Sequence, residues 1–387
     1  MTKRIIYLPL EPYEERYTLQ LRDWNESRFK ERGVDYLSID GQKLSESKEI
    51  KTGQVLDAHG RCYWAMTQMA ELVRLMEDGT IGDNDVIFSE DLFHPGYEAL
   101  PYIINQLPDY KRPKVFTRNL AQSIDPDDFV FPWRNWMRKF EELVSETIDG
   151  ILMANTEMGP HMRIAGLEAP LYVTGLPFDK YEVRSRVREI KLLESRTKRI
   201  VYSSRFDKEK QPDFFMDLVR YSGLTEQGYE FTILTGAKEL RSANPEYVER
   251  ARQLEAEGKL VIREGLSKSE YYSILADSLV QFNCARQDWQ SNTLNEASAL
   301  GTLSLCPAFR SFPEALNNNS YHLYTPWSIE DACGKLKYMV ETLNDRDVSF
   351  AANQQHETID KTIDILLGNG EQYRYNDDSV LYRRQFV

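Results

Sequence analysis

Two short stretches hold residue types able to act on a charged, polyhydroxylated ligand: Ser204-Arg205-Phe206-Asp207-Lys208-Glu209-Lys210 and Asp288-Trp289-Gln290-Ser291-Asn292-Thr293-Leu294-Asn295-Glu296-Ala297. An arginine supplies a planar donor fork and a lysine a point charge. Arg205 and Lys210 together could therefore neutralise a diphosphate whose charge grows as it departs. Asp288 and Glu296 offer two sets of acceptor oxygens for hydroxyl groups. Ser291, Asn292 and Thr293 are helix-capping types, and a helix beginning there presents N–H groups and a positive dipole end to an anion. Each stretch also has a plainer reading. Lys208 and Glu209 make the first a candidate solvated turn, and the second could be an ordinary capped helix with one surface Glu.

Both stretches follow apolar runs that read as strands. Ile200-Val201-Tyr202 precedes the cations, and Leu279-Val280-Gln281-Phe282 precedes Asp288. Further strands are expected at Arg4–Leu8, Val86–Phe88, Val115–Thr117, Gly150–Met153, Leu171–Thr174, Phe231–Leu234, Leu260–Ile262 and Leu303–Leu305. Helical patterns lie between them, as in the one-sided face of Met69, Leu72, Val73 and Met76 and the stretch Trp136–Val144. Such alternation predicts parallel βαβ units and an α/β fold, with ligands beyond the carboxyl ends of the strands. A chain of 387 residues is long for one core, so two doubly wound, Rossmann-like domains with a cleft between them are expected. The expected boundaries are 1–178 for the first domain, a basic linker at 179–199, 200–350 for the second, and a return of 351–387 to the first.

Arg205 and Lys210 keep the spacing of a G-R-x-x-x-x-K run, with Ser204 in the glycine position. Asp288 to Glu296, followed by Ala297-Ser298-Ala299-Leu300-Gly301, resembles E-x7-E followed by A-x-A-x-G. These motifs resemble the retaining E-x7-E group of GT-B glycosyltransferases, which includes glycogen synthases and lipopolysaccharide mannosyltransferases. Phe231–Gly236, Gly265–Tyr272, Ile148–Asn155 and Val173–Pro177 echo the same family, so the likeness spans roughly residues 140 to 320. It implies a GT-B fold and transfer of a sugar from a nucleotide-diphosphate sugar, with retention of configuration. Arg205 and Lys210 would hold the diphosphate, Glu296 the ribose, and Asp288 the transferred sugar together with backbone near Ser291, Asn292 and Thr293. Gly265 and Leu266 would lie by the base. Two departures stand out: Asp288 is one methylene shorter than the family's Glu, and Ser291 replaces a Gly that lets backbone approach phosphate.

The first half lacks the family's Gly-Gly loop. Its segments Leu8–Thr18, Gly53–Asp57 and Glu90–Gly96 resemble phage-encoded glycosyltransferases, some of which decorate hydroxylated pyrimidines in DNA. That likeness implies a DNA acceptor, and a host-cytoplasmic location if the chain is phage-encoded. Cations cluster in this half at Lys111, Arg112, Lys114 and Arg118, and at Arg134, Arg138 and Lys139 among Trp133 and Trp136. They could grip phosphates while aromatics stack on an extruded base, although a solvated basic helix face explains the second cluster equally well. His94 and Asp91 follow a strand and could orient or deprotonate an acceptor hydroxyl. Arg16 and Tyr17 could approach from the first loop. A saccharide or lipid-linked acceptor is the alternative, and a non-catalytic binding protein of the same fold is another.

The net charge of −13 argues against a protein that coats nucleic acid along its whole surface. No apolar run is long enough for a membrane span. Cys62, Cys284, Cys306 and Cys333 are scattered, which suggests free thiols in a reducing cytoplasm. Asp125-Pro126-Asp127-Asp128 contains a D-x-D, but not after a nucleotide-binding strand. It reads as a turn in which Asp125 or Asp128 could touch an acceptor, and no essential metal or cofactor is expected.

Overall fold

The computed structural model describes residues 3–13, 17–44, 58–108, 111–121, 123–128, 130–344 and 348–373. Residues up to Pro177 together with those from Glu357 form one compact unit, and Phe178–His356 form another.

The first unit holds β1 (Arg4–Leu8), β2 (Tyr36–Ser38), β3 (Asp85–Ser89), β4 (Lys114–Arg118), β5 (Gly150–Met153) and β6 (Leu171–Val173), all parallel, in the order β2-β1-β3-β4-β5-β6. Its central strands are covered on both faces: every residue of β3 and β5 is buried, Asp85 and Ser89 at the ends of β3 included. The chain order reverses between β1 and β3, so the loops after these two strands flank the switch point where such sheets open a crevice.

The second unit holds β7 (Thr197–Tyr202), β8 (Glu230–Leu234), β9 (Val261–Arg263), β10 (Ser278–Phe282), β11 (Leu303–Pro307) and β12 (Leu323–Tyr324), parallel, in the order β12-β11-β10-β7-β8-β9. This is the doubly wound dinucleotide-binding order, with its switch point between β7 and β10. Ile200, Tyr202, Phe231, Val280, Phe282 and Leu303 fill its core with Phe215 and Leu336 from flanking helices. The helices start where capping chemistry allows. Asn244 caps a helix opened by Pro245, and Ser267 with Glu270 forms a reciprocal capping box.

The stretch 179–199, expected as a linker, is integrated into the second unit. Helix Lys180–Ser185 is capped by Asp179, and Arg184 Nε donates to the Ala299 carbonyl at 2.7 Å. Arg196, also read as linker, is buried and donates to Leu300 O at 3.0 Å and Thr302 Oγ1 at 2.9 Å. Two guanidinium groups thus satisfy carbonyls at the C-terminal end of helix Asn292–Ala299, where a positive charge is favoured. Helix Phe350–His356 also belongs to the second unit, and the chain joins the first at helix Thr358–Leu367. There Arg28 and Arg32 pair with Asp360, and the Tyr373 amide donates to Leu171 O at 2.7 Å. Among the described residues no helix is long and apolar enough to cross a membrane.

Candidate functional site

At the switch point of the second sheet, the loop after β7 carries Arg205 and Lys210 and the loop after β10 carries Asp288. The Tyr202 hydroxyl, at the end of β7, donates to the carbonyls of both Arg205 and Lys210 at 3.0 Å, and the Cys284 thiol contacts Lys210 O at 3.3 Å. A buried phenol thus pins the backbone of both cationic residues. Lys210 is only 9% exposed; its ammonium donates to Gln287 O and lies 3.6 Å from Asp288 Oδ2. Arg205 is more open and pairs with Glu209 at 2.7 Å. With the guanidinium exposed and Glu209 only half-buried, the pair is screened by solvent, so a ligand diphosphate could replace Glu209.

The second motif is built from the loop after β10. Asn283 Nδ2 donates to Ser291 Oγ at 3.1 Å, and Ser291 caps helix Asn292–Ala299 by accepting from Leu294 N at 3.4 Å. That amide is thereby taken up by the cap. Asn292 and Thr293 are half-buried at the helix start, where Thr293 Oγ1 lies 3.1 Å from Ser291 Oγ. Glu296, 7% exposed, sits one turn in and accepts from Tyr271 Oη at 2.8 Å, Tyr272 Oη at 3.0 Å and Lys268 Nζ at 3.2 Å. Burial, reinforced by the Glu296 charge, pushes the Tyr271 phenol well up, so it stays a donor. Tyr271 Oη also reaches Ser203 Oγ at 3.3 Å, two residues before Arg205. The first motif therefore meets the second through Lys210–Asp288, and Tyr271 links Ser203, just before the first, to Glu296 in the second. Gly265, at φ +65°, has open space where a side chain would stand, and Leu266 N donates to Thr235 O beyond β8 at 3.2 Å.

Lys268, Tyr271 and Tyr272 were not singled out as site residues from the sequence. The signal was present: the Ser267 to Glu270 capping box opens a helix whose first turns carry all three.

In the first unit, the loop after β3 holds Asp91 and His94. Asp91 pairs with Arg61, which the sequence reading missed, and its Oδ1 accepts from Phe93 N at 3.1 Å. His94 is buried and stacks on Tyr97, with ring centroids 4.5 Å apart. Gln68 Nε2 donates to Pro9 O and Ile39 O, which fixes Gln68 Oε1 as the acceptor facing His94 Nε2 at 3.1 Å. His94 must then carry its proton on Nε2 and leave Nδ1 as a lone pair. Burial, helped by the Arg61 charge, pulls the ring down to about 3. Such an imidazole accepts a hydrogen bond but is a weak base at neutral pH.

Several expected acceptor contacts are placed otherwise. Arg118 and Glu90 are both fully buried and pair at 2.8 Å. Arg118 also donates to Thr174 Oγ1 and Gly175 O at 2.9 Å and to Thr362 Oγ1 at 3.1 Å. A guanidinium so enclosed does not grip a solvent phosphate; it ties β4 to helix Thr358–Leu367. Lys114 is exposed but begins β4, at the amino edge of the sheet, away from the carboxyl ends where ligands bind. The Tyr17 hydroxyl donates to Pro177 O at 2.6 Å, and burial pushes its phenol up. Arg16 lies outside the described residues. Arg134 and Arg138 are exposed on helix Arg134–Thr147 around Trp136, which is 56% exposed; Arg138 pairs with Glu142 at 3.4 Å. Asp125 and Asp128 accept turn amides from Asp127 at 3.0 Å and Val130 at 3.2 Å. Among the described residues no three His, Cys, Asp or Glu side chains are gathered as for a metal ion.

No protein-family model matches the sequence, and no curated protein is significantly similar to it. Solved structures are similar in fold. An E. coli protein described as trehalose-6-phosphate bound with UDP-2-fluoro glucose is 12% identical with a TM-score of 0.61, covering 96% of this chain and 100% of its own. A UDP-forming α,α-trehalose-phosphate synthase from Burkholderia xenovorans is 11% identical with a TM-score of 0.61, covering 100% and 99%. A glycosyltransferase from Rickettsia africae is 10% identical with a TM-score of 0.60, covering 99% and 98%. The chain has the GT-B fold. Its two parallel six-stranded sheets are the two Rossmann-like halves of that fold.

Proposed function

We propose that the protein is a glycosyltransferase that takes its sugar from a nucleotide-diphosphate sugar. The reading is carried by one observation: Lys210 and Asp288 meet 3.6 Å apart at the β7/β10 switch point, with Arg205 on the same loop as Lys210. In this reading the nucleotide runs along the carboxyl edge of the sheet. Its base lies by Gly265 and Leu266, its ribose by Glu296, and its diphosphate by Arg205 and Lys210. As the glycosidic bond breaks, these two cations take up the charge of the departing diphosphate, so the site needs leaving-group stabilisation more than a strong base. The low basicity of His94 accords with this division of labour. Asp288 orients the transferred sugar, and the resemblance of the two motifs to the retaining group supports retention of configuration.

For the acceptor we propose a hydroxylated pyrimidine in DNA. The support is the exposed face of helix Arg134–Thr147, where Arg134, Arg138 and Lys139 surround Trp136. Cations there would grip phosphates and the indole would stack. The test is calorimetric binding of nucleotide-sugars, UDP-glucose first, followed by radiolabelled transfer to DNA with and without hydroxymethylated pyrimidines. Label entering only the modified DNA is expected. Transfer to a glycan in its place overturns the acceptor, and no binding of any nucleotide-sugar overturns the enzyme.

A further inference from the structure

The carboxyl ends of β10, β11 and β12 hold an aromatic cluster to which the proposed donor contacts assign no role. Trp289 follows Asp288 in the loop after β10, Phe309 and Arg310 lie just beyond β11, and Trp327 lies just beyond β12. The Arg310 guanidinium stands 4.9 Å from the ring centroids of both Trp289 and Phe309, and Phe309 lies 5.2 Å from Trp327 at 62°. Ser311 Oγ donates to Asp288 O at 2.6 Å, so the β11 loop is fastened to the residue assigned to the sugar. Trp289 is buried, whereas Trp327 is 53% exposed.

Two local rules are broken here. Ser328 N donates to Thr325 O, closing a turn with Pro326 at its second position and Trp327 at its third, where φ is +61°. After proline that position ordinarily belongs to glycine or asparagine. Phe312 N donates to Phe309 O in a second turn, and Arg310 takes φ +53° inside it. Left-handed backbone is unfavourable for large side chains, and such strain gathers at functional sites. Glycine would relieve both turns and would remove the tryptophan and the arginine.

Strand order says what meets this cluster. If the base lies by β8 and β9 and the diphosphate at β7 and β10, as proposed above, β11 and β12 are the strands on the far side of the diphosphate from the base. We propose that Trp327, backed by Phe309 and Arg310, is a stacking platform for the acceptor's pyrimidine, unstacked from its duplex. An exposed indole fits the face of any base, and the adjoining guanidinium strengthens an aromatic stack. The proposal rests on the glycosyltransferase reading and its DNA acceptor.

The experiment compares wild type, Trp327→Ala, Trp327→Phe and Trp327→Gly in steady-state transfer from a nucleotide-sugar to an oligonucleotide carrying 5-hydroxymethylcytosine. Donor affinity and Tm are measured in parallel. For Trp327→Ala, acceptor KM rises roughly 10-fold or more with kcat within about 2-fold, and Trp327→Phe restores most of the loss. Trp327→Gly gives the same KM defect with a Tm at or above that of wild type, which separates lost stacking from lost folding. Acceptor KM unchanged in both Ala and Gly variants while donor affinity holds overturns the platform and leaves the enzyme assignment standing. Transfer by the wild type to an oligosaccharide and not to the oligonucleotide overturns the pyrimidine as its occupant. Failure of the wild type to bind any nucleotide-sugar removes the reading beneath both.

Discussion

Replacing Arg118 with methionine tests whether this cation belongs to the core or to a DNA surface. Both Arg118 and its partner Glu90 are 0% exposed. Methionine keeps much of the side-chain volume and strands Glu90, which among the described residues retains only the Asn25 amide at 2.7 Å. Removing one partner of a buried pair costs about 3–5 kcal/mol. The hydroxyls of Thr174 and Thr362 are neutral and repair more easily; Thr174 Oγ1 already reaches Gly175 O at 3.0 Å. Against a total stability of roughly 5–15 kcal/mol, the expected loss is about a fifth or more. Urea titration followed by tryptophan fluorescence reads it as a lower midpoint with unchanged slope. Burial raises the Glu90 carboxyl above its ordinary value of 4.5 even with Arg118 pulling it down, and loss of Arg118 raises it further. A carboxyl raised in the folded state contributes stability below its unfolded pKa and loses it as pH rises through the folded one. The variant should therefore be more stable near pH 5 than near pH 8. Adding Glu90→Gln should recover about 2 kcal/mol or more by removing the stranded charge. Stability within about 1 kcal/mol of wild type, together with weakened DNA binding, would refute the reasoning and return Arg118 to the surface.

Other outcomes follow from the same geometry. Lys210→Ala should lower kcat at least ~10-fold with a nucleotide-sugar, and unchanged turnover counts against its role on the leaving group. Tyr271→Phe and Tyr272→Phe each remove one hydrogen bond to Glu296 and should weaken nucleotide binding by about 5-fold, measured by calorimetry. His94, lowered from 6.5 to about 3, should make stability fall as pH drops through that window, by up to about 1.4 kcal/mol per pH unit. Denaturation of His94→Phe across that range should show a flatter profile, and an equal slope excludes a buried neutral imidazole. Arg134→Ala and Lys139→Ala should each reduce the salt slope of DNA binding by about one, and slopes matching wild type remove that helix from the DNA surface.

Much of the fold was legible because buried parallel strands read as short apolar runs between helical patterns. The runs at 86–88, 150–153, 231–234 and 279–282 all lie in strands. Two edge strands gave no such signal, β2 being Tyr-Leu-Ser and β12 only Leu-Tyr, whereas the equally short edges β6 and β9 carry apolar runs that could be read. The basic stretch 179–199 misled because charge density resembles a linker. Arg184 and Arg196 instead satisfy the carbonyl end of a helix more than a hundred residues away in sequence. Arg118 misled for the same reason, since a side chain's charge does not say whether it meets water or a buried carboxylate.

The amino-acid sequence alone determined which loops could carry chemistry. The spacing of Arg205 and Lys210 and of Asp288 and Glu296 is local: one loop carries the first pair, and one loop with the start of its helix carries the second. Only the tertiary structure decided what those groups meet. Strand order brought the Lys210 ammonium to Asp288, the phenols of Tyr271 and Tyr272 to Glu296, and Trp327 to Phe309. These contacts depend on which strands lie side by side in a sheet. That order is selected by burial summed over the whole core, which no short stretch of sequence encodes.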